Sequence, residues 1–345
     1  MSAPSDPPQK PAFGSSTRLK LALAWLFGIA LLAWLLARTP LAPVVEAVQR
    51  PSISIWLITL AGLIASYGLR GARLQVVLNL EDQRGQAKRW LGLRLDTLRV
   101  ILLHNAAVNL LPMRAGELSF PWLAARELNL PMSRAVACLM WMRLQDLAVL
   151  IGLGLALWPG LGLPLRFAGL ACLFLSWHVA WWGLKRVLLQ PSWRQGHGAS
   201  ASRWRGMAMK LQEAMLERSH HQPAAWGLTL ANWSLKLAAG ATLLSAISET
   251  AWPVAWAGAL GGELAAIFPL QGPAGFGTYE AGVWAGMAAV LKQHSAALPH
   301  VVGAALALHI CFLLCAVGAA GLAPLLRHSM PKPLAQEDVP PRHPG

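Results

Sequence analysis

The stretch LPMRAGELSFPWLAARE, Leu111 to Glu127, sets Arg114, Glu117, Arg126 and Glu127 inside sequence that is otherwise apolar enough for a membrane interior. An ionised side chain at the bilayer centre costs roughly 2.5 to 3.5 kcal/mol on insertion scales, so these charges need a physical reason. Pro112 and Gly116 frame the first pair. Proline cannot continue a helix, which predicts that an apolar segment stops near Leu111 and that a new helix starts near Ala115 and runs to Asn129. A related stretch, FPLQGPAGFGTYE, spans Phe268 to Glu280. Again an apolar run ends at proline, glycines follow, and a glutamate falls in the first turn of the next segment. Two interrupted hydrophobic segments in corresponding positions of two halves point to a transporter site near the bilayer midplane.

Composition agrees with a membrane setting. The 345-residue chain is 55% hydrophobic and 13% charged, and its mean hydropathy is positive, which places it with polytopic membrane proteins. The formal charge of +14 would suit nucleic acid, but the lysines and arginines cluster in the gaps between apolar runs, as cytoplasmic loops require. A nucleic-acid binder needs a continuous basic face, so that partner is excluded. Trp56, Trp158, Trp181, Trp182, Trp226 and Trp252 fall near the ends of apolar segments, where interfacial belts form. Cys138, Cys172, Cys311 and Cys315 lie in apolar runs and read as small packing residues.

Along the chain, residues 1–18 form a polar tail and 19–326 a membrane domain, with residues 327–345 a polar, proline-rich tail expected to be disordered. Full spans are expected at Leu19–Ala37, Ile53–Leu69, Met132–Trp158, Pro164–Leu184, Ala224–Ile247 and Val301–Leu326. The second is expected to end in Arg70 and Arg73, after which Arg84, Lys88, Arg89 and Arg94 form a basic cytoplasmic loop, and residues 185–222 form another such loop. Counting every apolar run as a full crossing puts that second loop outside and breaks the charge rule. Reading Leu95–Leu130 and Trp252–Leu291 as re-entrant hairpins returns it to the cytoplasm. The expected fold is therefore all-α, with about six spans and two hairpins, in two repeats (residues 19–158 and 163–326) of opposite orientation, both termini inside.

The candidate binding residues gather at the breaks. A helix starting inside the membrane offers free N–H groups and the positive end of its dipole, a natural anion site. Gly116, Gly275 and Gly277 would let a headgroup approach the backbone, and Arg114 would offer a planar fork to phosphate. The alternative for Arg114 is a structural ion pair with Glu117 or Asp146. Glu117 and Glu280 suit the first turn of a helix with or without a further role. Arg143 and Asp146, three apart, read as a pair that also clasps Glu117. Asn105 and Asn109, four apart, should face the protein interior. Lys236 and Glu263 are the second half's candidate pair, and the sequence leaves open whether they meet. His309 reads as a hydrogen-bonded packing residue. HExxH, G-x-S-x-G, Walker and dinucleotide-binding patterns are missing, so neither an enzyme nor a cofactor is expected.

The run Asn109-Leu-Leu-Pro-Met-Arg114-Ala-Gly116-Glu117, the pair Arg143-x-x-Asp146, and Pro273-x-Gly275-x-Gly277-x-x-Glu280 together resemble the lysylphosphatidylglycerol synthase transmembrane region, also called the flippase-like domain family. The resemblance runs over about Leu19 to Leu326. It implies a bacterial inner-membrane protein that moves a phospholipid, or a polyprenyl- or hopanoid-type lipid, between leaflets, and some stand-alone members look linked to the latter pathways. Homodimerisation stays open. The chain ends soon after the last span, so lysyl transfer to lipid is not implied. His309 stands where the first repeat suggests an arginine like Arg143. The alternatives to a translocase are a membrane-embedded enzyme acting on a lipid headgroup and a non-transporting scaffold for lipid synthesis.

Overall fold

A hydrocarbon interior offers the backbone no partners but its own, so apolar runs wind into helices and break only where polar or packed surroundings satisfy the freed groups. The computed structural model describes residues 41–80, 89–90, 92–189, 209, 212, 214–267, 273–291 and 298–326. Helix α1 (Leu41–Gln49) leads into α2 (Ile53–Val77). A small antiparallel ribbon, β1 (Arg89–Trp90) and β2 (Leu93–Arg94), pairs Arg89 with Arg94 and introduces α3 (Leu95–Leu110). The 3-10 turn Pro112–Leu118 separates α3 from α4 (Ser119–Leu128), and α5 (Met132–Leu157) and α6 (Leu163–Leu189) follow. After the 3-10 turn Arg218–His221 come α7 (Pro223–Ser248), α8 (Trp252–Ala265), a second 3-10 break at Pro273–Gly275, α9 (Thr278–Leu291), α10 (Leu298–Gly321) and a last 3-10 turn, Ala323–Leu326.

Among the described residues, four helices are long and apolar enough to cross a membrane: Ile53–Val77, Met132–Leu157, Leu163–Arg186 and Val301–Gly321. The protein is thus a membrane-embedded, multi-pass helical protein. Of the six spans expected from sequence, Leu19–Ala37 lies outside the described residues. Helix α7 has 26 residues, roughly 39 Å at 1.5 Å per residue, but Thr229, Asn232 and Lys236 dilute its apolar character. The helices flanking the two breaks are shorter, with 16 residues in α3, 10 in α4 and 14 each in α8 and α9, against the roughly 20 that a crossing needs.

Several boundaries differ from the sequence expectation. The second span does not stop at Leu69: α2 continues to Val77 and carries Arg70 and Arg73 into the interior. The apolar residues Leu74, Val76 and Val77, all buried, keep the helix going past its two charges. Helix α4 starts at Ser119 rather than near Ala115, because Pro112–Leu118 winds as a 3-10 turn with Arg114 in the left-handed region at φ 55°. It ends at Asn129, whose left-handed backbone (φ 52°) closes it as a C-cap. The segment after Arg38, expected as a loop, contains α1. The tail after Leu326 and most of the loop 185–222 lie outside the described residues.

Helices α8 and α9 make the closest pair, because glycines let their backbones touch. A Cβ on Gly286 would lie 2.1 Å from the Ala257 carbonyl oxygen, and one on Gly261 would lie 2.2 Å from that of Gly282, the small-residue contact that drives helix pairing in membranes. Helix α2 runs along α7, and α10 packs on α3, α7 and α9. The main apolar core joins α7 (Leu237, Leu244, Ile247), α8 (Leu260), α9 (Val283, Met287) and α10 (Ala304, Leu308). A second cluster gathers Leu74, Val100, Phe120 and Cys138 around the first break. Helix α6 leans on α5 and leaves Phe167, Phe174, Val179 and Trp182 exposed. The two breaks touch each other, turn 112–118 against turn 273–275.

Candidate functional site

Where α2, α3, α5, α7 and α8 converge on the first break they enclose a cavity of about 490 Å³. Its charged lining comprises four cations, Arg70, Arg114, Arg143 and Lys236, and three carboxylates, Glu117, Asp146 and Glu263. Asn105 and Asn109 also face it. The structure therefore brings together eight of the residues singled out from sequence: Arg114, Glu117, Arg143, Asp146, Asn105, Asn109, Lys236 and Glu263.

Each carboxylate has its own cation. Glu117 lies 2.6 Å from Arg114 and 2.9 Å from Arg143, so it is clasped from both sides. Arg114 also donates to the carbonyl of Ile267 at the C-terminal end of α8, where helix carbonyls lack partners and a cation is favoured. This side chain therefore ties the first break to the end of α8. Asp146 is held chiefly by Arg73, 2.5 Å away, and accepts the Trp233 indole N–H at 2.8 Å, with Arg143 at 3.4 Å. Arg73 further donates to Thr229 at 3.0 Å. Lys236 and Glu263 do meet, at 2.6 Å.

Arg70 is the exception. Its guanidinium donates to the side-chain oxygens of Asn105 at 3.0 Å and Asn232 at 3.1 Å and lies 5.3 Å from the centre of the Trp233 ring. Among the described residues it makes no ion pair. Neutral amide oxygens orient it at the cavity wall, and no carboxylate among the described residues pairs with it directly. Arg143 is the other accessible cation, its side chain 35% exposed. Asn109 donates to the backbone carbonyl of Asn105 at 2.7 Å and so holds α3 in shape beside the cavity.

Four expected site residues do not line this cavity. Gly116 is buried against α3: a Cβ there would fall 2.2 Å from the Ala107 carbonyl oxygen, so the glycine serves close packing of the break rather than approach of a headgroup. Gly275 and Gly277 take left-handed conformations, φ 79° and 85°, that shape the second turn. Glu280 is 3% exposed. It accepts the Gly277 N–H at 2.7 Å and bonds His309 Nδ1 at 2.7 Å, and Phe276 and Tyr279 stack against the His309 ring. Glu280 thus caps α9 and latches it to α10.

From the sequence, Arg70 and Arg73 are placed at the end of the second span, ahead of a basic cytoplasmic loop, and not in the site. The available signal was their spacing: three apart, they share a helical face, and apolar sequence resumes directly after them, which is more consistent with an interior pair than with a loop. Trp233 had no such signal, since its indole role depends on Asp146 from a distant helix.

Comparison with known families places this geometry in context. The family model described as "Lysylphosphatidylglycerol synthase TM region" matches residues 19–318. No curated protein matches the chain.

Proposed function

The chain belongs to the lysylphosphatidylglycerol synthase transmembrane-region family, a membrane protein related to lipid handling, and from that premise we propose that it moves a phosphate-bearing lipid or lipid-linked headgroup between leaflets. The observation that carries the reading is the charge of the cavity: four cations face three carboxylates, and Arg70 makes no ion pair among the described residues. Arg73, which holds Asp146 from behind, adds to that excess, and a phosphate anion would offset it with Arg70 and Arg143 as its forks. Isolated charge is costly at membrane depth, so an occupied cavity is favoured over an empty one. Asn105 and Asn232 orient Arg70 without neutralising it. Entry of the phosphate weakens the hold of Arg143 on Glu117, and Glu117 then takes a proton or turns wholly to Arg114.

In this reading the pairs α3–α4 and α8–α9 are re-entrant hairpins. Their short arms and touching breaks support that arrangement, which is also the one that satisfies the charge rule. The two repeats are inverted, the termini cytoplasmic and the membrane a bacterial inner membrane. The site acts by binding and release, not by catalysis on the lipid.

Transport of labelled phosphatidylglycerol in proteoliposomes tests this. Arg143→Gln and Glu117→Gln proteins that elute and melt as the wild type does should each lose about tenfold in rate, or about 1.4 kcal/mol, and the lipid should be recovered with unchanged mass. Undiminished rates would remove the cavity from transport. Recovery of a covalently altered lipid would make the protein an enzyme.

A further inference from the structure

On α5, Arg143 and Asp146 face the charged cavity, while the next stripe round the helix, Leu144, Leu147 and Ile151 at spacings of three, four and seven, is apolar. That stripe faces α6 across a groove of about 320 Å³. The groove runs on α5 from Trp141 past Ala148 to Ile151 and on α6 from Leu173 past Ala180 to Leu184. At about 1.5 Å per residue this is roughly 15 Å, half the hydrocarbon core of about 30 Å and so the depth of one leaflet.

Two observations say what fits there. Leu144 and Leu147 line the groove and the charged cavity alike, so the polar hollow and the apolar channel share a wall. The one side-chain hydroxyl in the groove, Ser176, already donates to the Leu173 carbonyl at 2.9 Å. A polypeptide backbone laid in the groove would find no partner for its amides, whereas a hydrocarbon chain needs none. At the end that borders the cavity, Trp181 packs 5.3 Å from Trp141 and lies under Lys185, with Trp182 under Arg186, an aromatic and basic pairing that belongs at the membrane–water interface.

We propose that this groove seats a hydrocarbon chain of the same lipid whose phosphate lies at Arg70 and Arg143, so that cavity and groove form one site for an anionic, long-chain amphiphile; the proposal rests on reading the cavity as the headgroup site. A chain that leaves bilayer for protein gains little from the exchange, because lipid tails are as apolar as leucine. The groove therefore selects by shape: filling it excludes the chain.

Native mass spectrometry of the purified full-length protein, titrated with long-chain phosphatidylglycerol and with its dihexanoyl form, tests the proposal. Ala148→Phe/Ala180→Phe should weaken long-chain binding about tenfold and leave the dihexanoyl form unaffected. Arg70→Gln should weaken both, and Arg70→Lys, which keeps the charge, should restore them. Adding the groove substitutions to Arg70→Gln should cost less than the sum of the two effects, because both act on one molecule. Ala180→Phe alone, on the exposed face of α6, carries the same expectation if the double variant does not fold. Long-chain binding that survives the groove substitutions but is lost in Arg70→Gln would overturn the groove and spare the headgroup reading. Loss in the groove variant with none in Arg70→Gln, or fully additive losses, would mean that separate lipids occupy the two places and would overturn the single site.

Discussion

The two breaks begin from nearly the same sequence and end in different physical states. In the first, Glu117 sits in an accessible cavity between two arginines. In the second, Glu280 is sealed against His309 and the start of α9, and the two helices that carry the break are joined through glycine contacts. A carboxylate at a helix start is thus no evidence of a site by itself. What separates the two cases is the surroundings: partly exposed cations around one, a closed latch of rings and backbone around the other. On the proposed function, the first break exchanges partners with a ligand, and the second provides a rigid frame for it to work against.

The largest expected effect lies in the rigid half. Gly286→Leu drives a side chain into the Ala257 backbone of α8, a clash that no rotamer relieves, and should cost about 3 kcal/mol or more. Size-exclusion profiles and thermal melts should show little native protein, and a native-like melt would mean that α8 and α9 are not so fused. Next, His309→Ala leaves Glu280 without its side-chain partner and should lower stability by about 2 kcal/mol, with transport per folded molecule unchanged. A selective loss of transport at full stability would break the comparison and make the second break part of the site. At the cavity wall, Lys236→Met strands the buried Glu263, and Lys236→Met/Glu263→Gln should recover most of the loss in transport that the single change causes. No recovery would assign Lys236 a contact of its own with the substrate.

The smallest effect concerns His220, buried in the turn ahead of α7 and outside the spans. Burial, with His221 and Arg134 adding to it, pushes its pKa down despite the opposing pull of Glu217. The folded protein therefore binds this proton less readily than the unfolded chain does, and stability should fall as pH drops below about 6.5, the ordinary histidine value. Melting temperatures of His220→Phe should lose that slope. An identical slope in the wild type and the variant would place its origin elsewhere.

Much of this site was legible in the sequence, and the part that was not has a physical explanation. Charges inside apolar runs marked Arg114, Glu117, Arg143, Asp146, Lys236 and Glu263, because only an interior partner makes such residues tolerable. Arg70 and Arg73 escaped, since a rule that counts basic residues near span ends cannot distinguish a loop from a helix that continues inward. The glycines of the breaks were read for ligand access, yet Gly116 touches its own hairpin, a contact set by tertiary approach. Glu280 and Glu117 look alike locally. Their difference comes from His309, which lies 29 positions further on, and from α5, which supplies Arg143 to one break alone.

An experimental density map of the protein in phosphatidylglycerol nanodiscs tests the central claim most directly. The account predicts a lipid phosphate in the cavity, within hydrogen-bond reach of Arg70 and Arg143, with the Glu280–His309 latch closed beside it. A cavity holding only water, with Arg70 turned to a carboxylate of the protein and lipid confined to the outer surface, would contradict it.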